Sequence, residues 1–163
     1  MLKSSFRELQ RRLLRQVKLF YGKRLVSFVV FGSAARETQR YDSDLDFLMV
    51  VKDLPRGRMR RVREFDKIEN RLEPLIKKLH KKGIDTYFSP IIKSPEEVEF
   101  GSPLFLDMVY DAKILLDRDR FFFKRLERLR ARLKELGSRR IWSGNAWYWE
   151  LKPDYKPGEV FEI

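Results

Sequence analysis

Two apolar runs of strand length limit what this chain can fold into: LVSFVVF, from Leu25 to Phe31, and LDFLMVV, from Leu45 to Val51. Both are dense in β-branched, aromatic and long aliphatic residues, and each reads as a buried strand. The first stops at Gly32-Ser33, where one or two helical turns can follow before a polar loop leads into the second. Ahead of them, Leu9, Leu13, Leu14, Val17 and Phe20 recur at helical spacing behind Ser5 and Glu8, a capping-box pattern. An amphipathic helix from Phe6 to Phe20, closed by Gly22, is the expectation. After Pro55 and Gly57 a long basic helix is predicted from about Arg58 to Lys81, with Val62, Phe65, Ile68, Leu72, Leu75, Ile76 and Leu79 inward.

Gly83 ends that helix, and IDTYFSPII, from Ile84 to Ile92, is predicted as a third strand in which Pro90 marks an edge. Ser94-Pro95-Glu96-Glu97 and Ser102-Pro103 look like N-caps with proline at the first helical position, so two short helices follow. Ala112 to Leu116 predicts a fourth strand, and Asp117 a cap for a helix running to Leu136 and Gly137. The last stretch, with three Trp, shows no clear periodicity and reads as an ordered or docking tail. The fold class is α+β: a small mixed β-sheet with helices packed beside it. Residues 1–116 form the core with its N-terminal helix, and 117–163 a C-terminal helix and an aromatic-rich tail packed on the core or on a partner.

The 163 residues suit one domain with an appendage. There is no cysteine and one histidine, His80, which excludes disulfides and thiolate or histidine-cluster metal sites. Any metal must therefore rest on oxygen. No apolar segment reaches the roughly 18 residues that span a bilayer, so the chain reads as soluble and cytoplasmic, without a membrane. Thirty-six basic against 24 acidic side chains leave a net charge of +12, which makes nucleic acid a possible partner. The arginines between Arg56 and Arg63 would be its contact, or else a solvated helix face. His80, among lysines near a helix end, reads as solvated.

Side chains alternate faces along a strand, so Asp44 and Asp46 point the same way while Leu45 and Phe47 point the other. Two like charges ~4 Å apart repel by about 4 kcal/mol at an effective dielectric of 20, and a cation between them removes that cost. With oxygen ligands on offer, a hard ion such as Mg²⁺ fits. Gly32 permits close backbone approach and Ser33 adds a hydroxyl, which together make a seat for phosphate. Carboxylates for a metal beside a phosphate seat describe a site for a metal-bound nucleoside triphosphate.

The pattern Phe31-Gly32-Ser33, ten intervening residues, then Asp44-Leu45-Asp46-Phe47 resembles the signature of the polymerase-beta-like nucleotidyltransferase superfamily. More narrowly, GSAAR…SDLDFLMV is similar to the minimal nucleotidyltransferases, over Leu25 to Phe88. The resemblance implies that Asp44 and Asp46 ligate two Mg²⁺ ions and that a third carboxylate, best matched by Asp85, ligates the catalytic metal and helps deprotonate the acceptor. It also implies that Gly32 and Ser33 hold the β and γ phosphates of ATP; Arg36 and Arg40, close by in sequence, are candidates to reach phosphate and offset the charge of Glu37. AMP would pass to an acceptor hydroxyl, such as a tyrosine of a HEPN-type toxin partner in a toxin–antitoxin system. Transfer to RNA or a small molecule, and a non-catalytic protein that binds nucleotide and partner, are the alternatives. Where relatives often carry glycine, this chain has Glu37, which implies a continued helix and, if turned inward, a charge against a triphosphate.

Overall fold

A computed structural model describes all 163 residues. Its strands β1 (Leu25–Val30), β2 (Leu45–Val51), β3 (Phe88–Lys93) and β4 (Lys113–Asp117) form one sheet in the order β3-β2-β1-β4. β1 is antiparallel to both neighbours, and β2 is parallel to β3. The sheet is therefore mixed, and the two densest apolar runs occupy its centre. Every residue of β1 is buried, and in β2 only Asp46 is not. Strands shielded on both faces read as continuous apolar runs, which is why alternation is weak in both.

Helices α1 (Leu2–Tyr21) and α3 (Arg58–Lys81) cover one face, packing Leu9, Leu13, Val17, Phe65, Ile68 and Leu72 on Leu45, Phe47, Met49 and Val51. The centre of that layer is aromatic. Phe47 stacks on Phe28 with centroids 5.3 Å apart and meets Phe65 at 5.6 Å and Phe88 at 6.2 Å. The opposite face, carrying Val29, Leu48 and Val50, is covered by α4 (Pro95–Phe100), α5 (Leu104–Asp111) and α6 (Phe121–Leu136), through Val98, Phe105, Met108, Phe122, Leu126 and Leu129. Asp46 shares the pleat of Leu48 and Val50. It therefore opens onto the α4–α6 side, at the end of the strand where that cover stops.

Three local expectations need correction, and the tail gains an element. α1 begins at Leu2, so Ser5 lies buried in the first turn and caps nothing; the Ser4 hydroxyl instead donates to the Met1 carbonyl at 2.6 Å. β3 begins at Phe88, not Ile84, because the preceding backbone is drawn to the loop before β2: Asp85 N donates to Tyr41 O at 2.7 Å and Leu45 N to Tyr87 O at 2.9 Å. α6 begins at Phe121, after Asp119 and Arg120 adopt left-handed backbone angles. Asp117 still caps it, accepting from the Phe122 and Phe123 amides at 2.9 Å each and from the Ser27 hydroxyl at 2.7 Å. The tail contains an antiparallel hairpin, β5 (Arg139–Ser143) and β6 (Ala146–Glu150), turned by Gly144-Asn145.

Candidate active site

The end of β1 and the start of β2 meet where chemistry-bearing residues concentrate. Phe31 N donates to Asp46 O at 3.1 Å, which carries Gly32 past the Asp46 side chain. Gly32 has φ +68°, and a Cβ built there would stand 2.5 Å from Asp46 Oδ2. Only glycine fits both demands. The short helix α2 (Gly32–Ala35) then presents Ser33 and, at its end, Arg36.

Asp44 is exposed and its Oδ1 accepts from Tyr87 N at 3.3 Å. Asp46 is half-buried. Burial lifts its carboxyl above the usual carboxylate range and the Asp44 charge lifts it further, while the Ser89 hydroxyl and the Arg36 charge pull it down. The parallel register sets Ser89 directly beside Asp46. The residue that faces the carboxylates from the neighbouring strand is thus a serine.

Asp85 is placed elsewhere. It precedes β3 by three residues, its side chain is 69% exposed, and its Oδ1 lies 3.4 Å from His80 Nε2. No group of three His, Cys, Asp or Glu side chains gathers to hold a metal. Asp44 and Asp46 are brought together with Gly32, Ser33 and Arg36, and Asp85 is not. His80 is half-buried rather than solvated, with Nε2 3.3 Å from the Thr86 carbonyl. Arg40 is forked onto Asp42 at 2.7 and 3.1 Å, which occupies the donors that a phosphate would need.

Glu37 does not continue a helix. Its φ is +57°, the angle a glycine would take, and its carboxylate turns away to Lys3 and Arg7 of α1, each at 3.1 Å. Those two cations hold its carboxyl below the usual range. The charge that would have opposed a triphosphate, had it turned inward, is neutralised.

Two residues of the site were not assigned to it from the sequence. Ser89 depends on strand register, which a single sequence does not display. Trp147, on β6, lies 5.1 Å from the Arg36 guanidinium, and its signal was the two-residue Gly-Asn loop between short aromatic runs. Beside the carboxylates a groove of about 810 Å³ runs between α3 and the outer edge of β3, with Asp44 and Ser89 at one end. Its charges are mixed: Asp44, Asp66, Glu69 and Glu97 against Arg58, Arg61 and Lys93. Arg61 is already paired with Glu97 at 2.7 Å.

Two neighbouring carboxylates and a serine hydroxyl, all oxygen donors, fit a hard divalent cation that completes its shell with phosphate oxygens and water. They do not by themselves enclose one.

The nucleotidyltransferase domain family matches residues 10–116. A Methanocaldococcus jannaschii protein, provisionally named a protein adenylyltransferase, is 32% identical over 125 residues, covering 76% of this chain and 80% of its own. A toxin–antitoxin crystal structure with AMP-PNP contains a chain of similar fold, with a TM-score of 0.50 at 16% identity over 78% of this chain and 92% of that one. A structure of a tri-AMPylated Shewanella oneidensis HEPN toxin with its MNT antitoxin matches at a TM-score of 0.41 and 15% identity, over 84% and 93%. Matched across well over half its length, the chain belongs to the nucleotidyltransferase domain family.

Proposed function

We propose that the chain transfers AMP from ATP, with Mg²⁺, to a hydroxyl of a protein acceptor, and that the acceptor is a tyrosine of a HEPN-type toxin. The observation that carries this reading is the approach of Gly32 to Asp46: a phosphate seat and a carboxylate pair share one strand end, with no side chain between them. The adenylyltransferase name of the Methanocaldococcus relative and the AMP-PNP in the similar toxin–antitoxin structure support AMP as the group moved.

Each residue of the site has a part. Gly32 lets a phosphate reach the backbone, Ser33 offers a hydroxyl donor, and Arg36 brings a positive charge to the same end of the sheet. Asp44 and Asp46 would hold Mg²⁺, which when bound neutralises triphosphate charge and eases loss of the acceptor proton. Burial and, after it, the Asp44 charge lift the Asp46 carboxyl, and a cation beside the pair would offset both. In the reaction the acceptor oxygen bonds to the α-phosphorus, the bond to the bridging oxygen breaks, and pyrophosphate leaves.

The groove beside Asp44 is the path for the acceptor. Four carboxylates against three cations make a poor channel for a nucleic-acid backbone, which favours a protein acceptor over RNA. The test is label transfer: purified chain, Mg²⁺, α-labelled ATP and a HEPN-type partner. Label on a partner tyrosine, lost with Asp44→Asn, is the expected result. A partner neutralised without label would make the chain a sequestering protein instead.

A further inference from the structure

The C-terminal hairpin lies outside the residues matched by the family, yet it reaches the site. Trp147 sets its ring 5.1 Å from the Arg36 guanidinium, three residues past Ser33, and the charge of Arg36 is felt at Asp46. The ring is itself held in place. Its indole N–H donates to Asp107 Oδ1 on α5 at 3.0 Å, and Trp142 meets it edge to face at 5.0 Å. Arg140 of β5 lies 5.2 Å from the same ring and pairs at 3.1 Å with Asp111 of α5, both side chains only 18% exposed. Two carboxylates of α5 thus moor the hairpin, and the hairpin offers Arg36 an aromatic face.

Contact with a carboxylate commits a guanidinium's N–H donors, as Asp42 does for Arg40. A ring face orients the cation and leaves those donors uncommitted. We propose that Trp147 is a positioning residue for nucleotide binding: the hairpin holds Arg36 ready for the phosphates of the nucleotide, and so sets the chain's affinity for it. This rests on the nucleotidyl-transfer reading given above.

The experiment is a double-mutant cycle on the full chain with Mg²⁺, reading ATP affinity by equilibrium binding and KM and kcat by label transfer. Trp147→Leu should raise Kd and KM about three- to tenfold with kcat nearly unchanged, and Trp147→Phe, which keeps a ring face but not the N–H bonded to Asp107, should restore part of the loss. In an Arg36→Ala background, Trp147→Leu should add nothing, because the ring acts only through Arg36. Should Trp147→Leu disturb the hairpin, seen as a lowered melting midpoint, Asp107→Ala removes the acceptor of the indole N–H with the ring intact and should shift Kd in the same direction. Additive losses in the cycle, a change confined to kcat, or wild-type affinity in the Trp147 and Asp107 variants would overturn the inference and leave the transfer reading standing. A wild-type chain that binds no ATP would overturn both.

Discussion

Replacing Gly32 by alanine separates the two demands made on that position. The first is backbone: at φ +68° a residue with a Cβ pays about 1–2 kcal/mol for the left-handed conformation. For a chain of this size each kcal/mol moves the melting midpoint by about 2–4 °C, so a fall of about 2–8 °C follows. The second is contact: the new Cβ stands 2.5 Å from Asp46 Oδ2 and 3.3 Å from Asp46 Cγ. Reaching an ordinary separation of about 3.5 Å requires the carboxylate to swing by about 1 Å. A short side chain can do this at little further cost in stability, but the swing takes a proposed metal ligand off its line. Misplacement on that scale costs about 10²-fold in rate. Gly137→Ala is the control, since Gly137 has φ +68° in the left-handed region and a Cβ there would meet only Pro153 Cδ at 4.0 Å. It should lose similar stability and no activity. Melting curves and initial rates of label transfer on both variants decide the matter. Gly32→Ala with wild-type transfer would refute the claim that this glycine exists to make room for Asp46.

Three further outcomes are expected. Asp46→Asn should abolish transfer yet raise the melting midpoint at neutral pH. Because the folded protein lifts the Asp46 carboxyl, its ionisation opposes folding: stability present below the ordinary aspartate range is lost as pH rises through the folded value. The gain from asparagine should therefore shrink on acidification toward pH ~4, which melting curves across pH would show. Asp85→Asn should keep label transfer within about threefold of wild type, since Asp85 pairs with His80 and not with the site; a hundredfold loss would restore it to the machinery. Glu37→Gly should keep activity, and its melting midpoint should rise relative to wild type as salt increases, because screening removes the Lys3 and Arg7 pairs while the backbone relief remains.

The parts legible from sequence were those set by local chemistry. β1 and β2 declared themselves by apolar density, α3 by periodicity, and the Asp44–Asp46 pair by the alternation of a strand. The position of Asp85 is not legible in the sequence, because where β3 begins and how it registers on β2 are long-range properties. The hairpin escaped notice for a different reason. Trp142, Trp147 and Trp149 share one face, Trp149 stacking on Tyr110 at 5.8 Å, while Tyr148 stands opposite Ile141 on the other, so no apolar–polar alternation survives. Glu37 misled because its left-handed angle is tolerated by non-glycine residues at a cost, and because the cations that receive its carboxylate lie thirty residues and more upstream.

The central claim is that Gly32, Ser33, Asp44 and Asp46 form one nucleotide site. A crystal structure of the chain with a non-hydrolysable ATP analogue and Mg²⁺ tests it most directly. The account predicts the β and γ phosphates against Gly32-Ser33, the α-phosphate beside Asp44 and Asp46, and the Arg36 donors turned to the triphosphate. An analogue seated instead in the groove between α3 and β3, against Arg58 and Lys93, would contradict it.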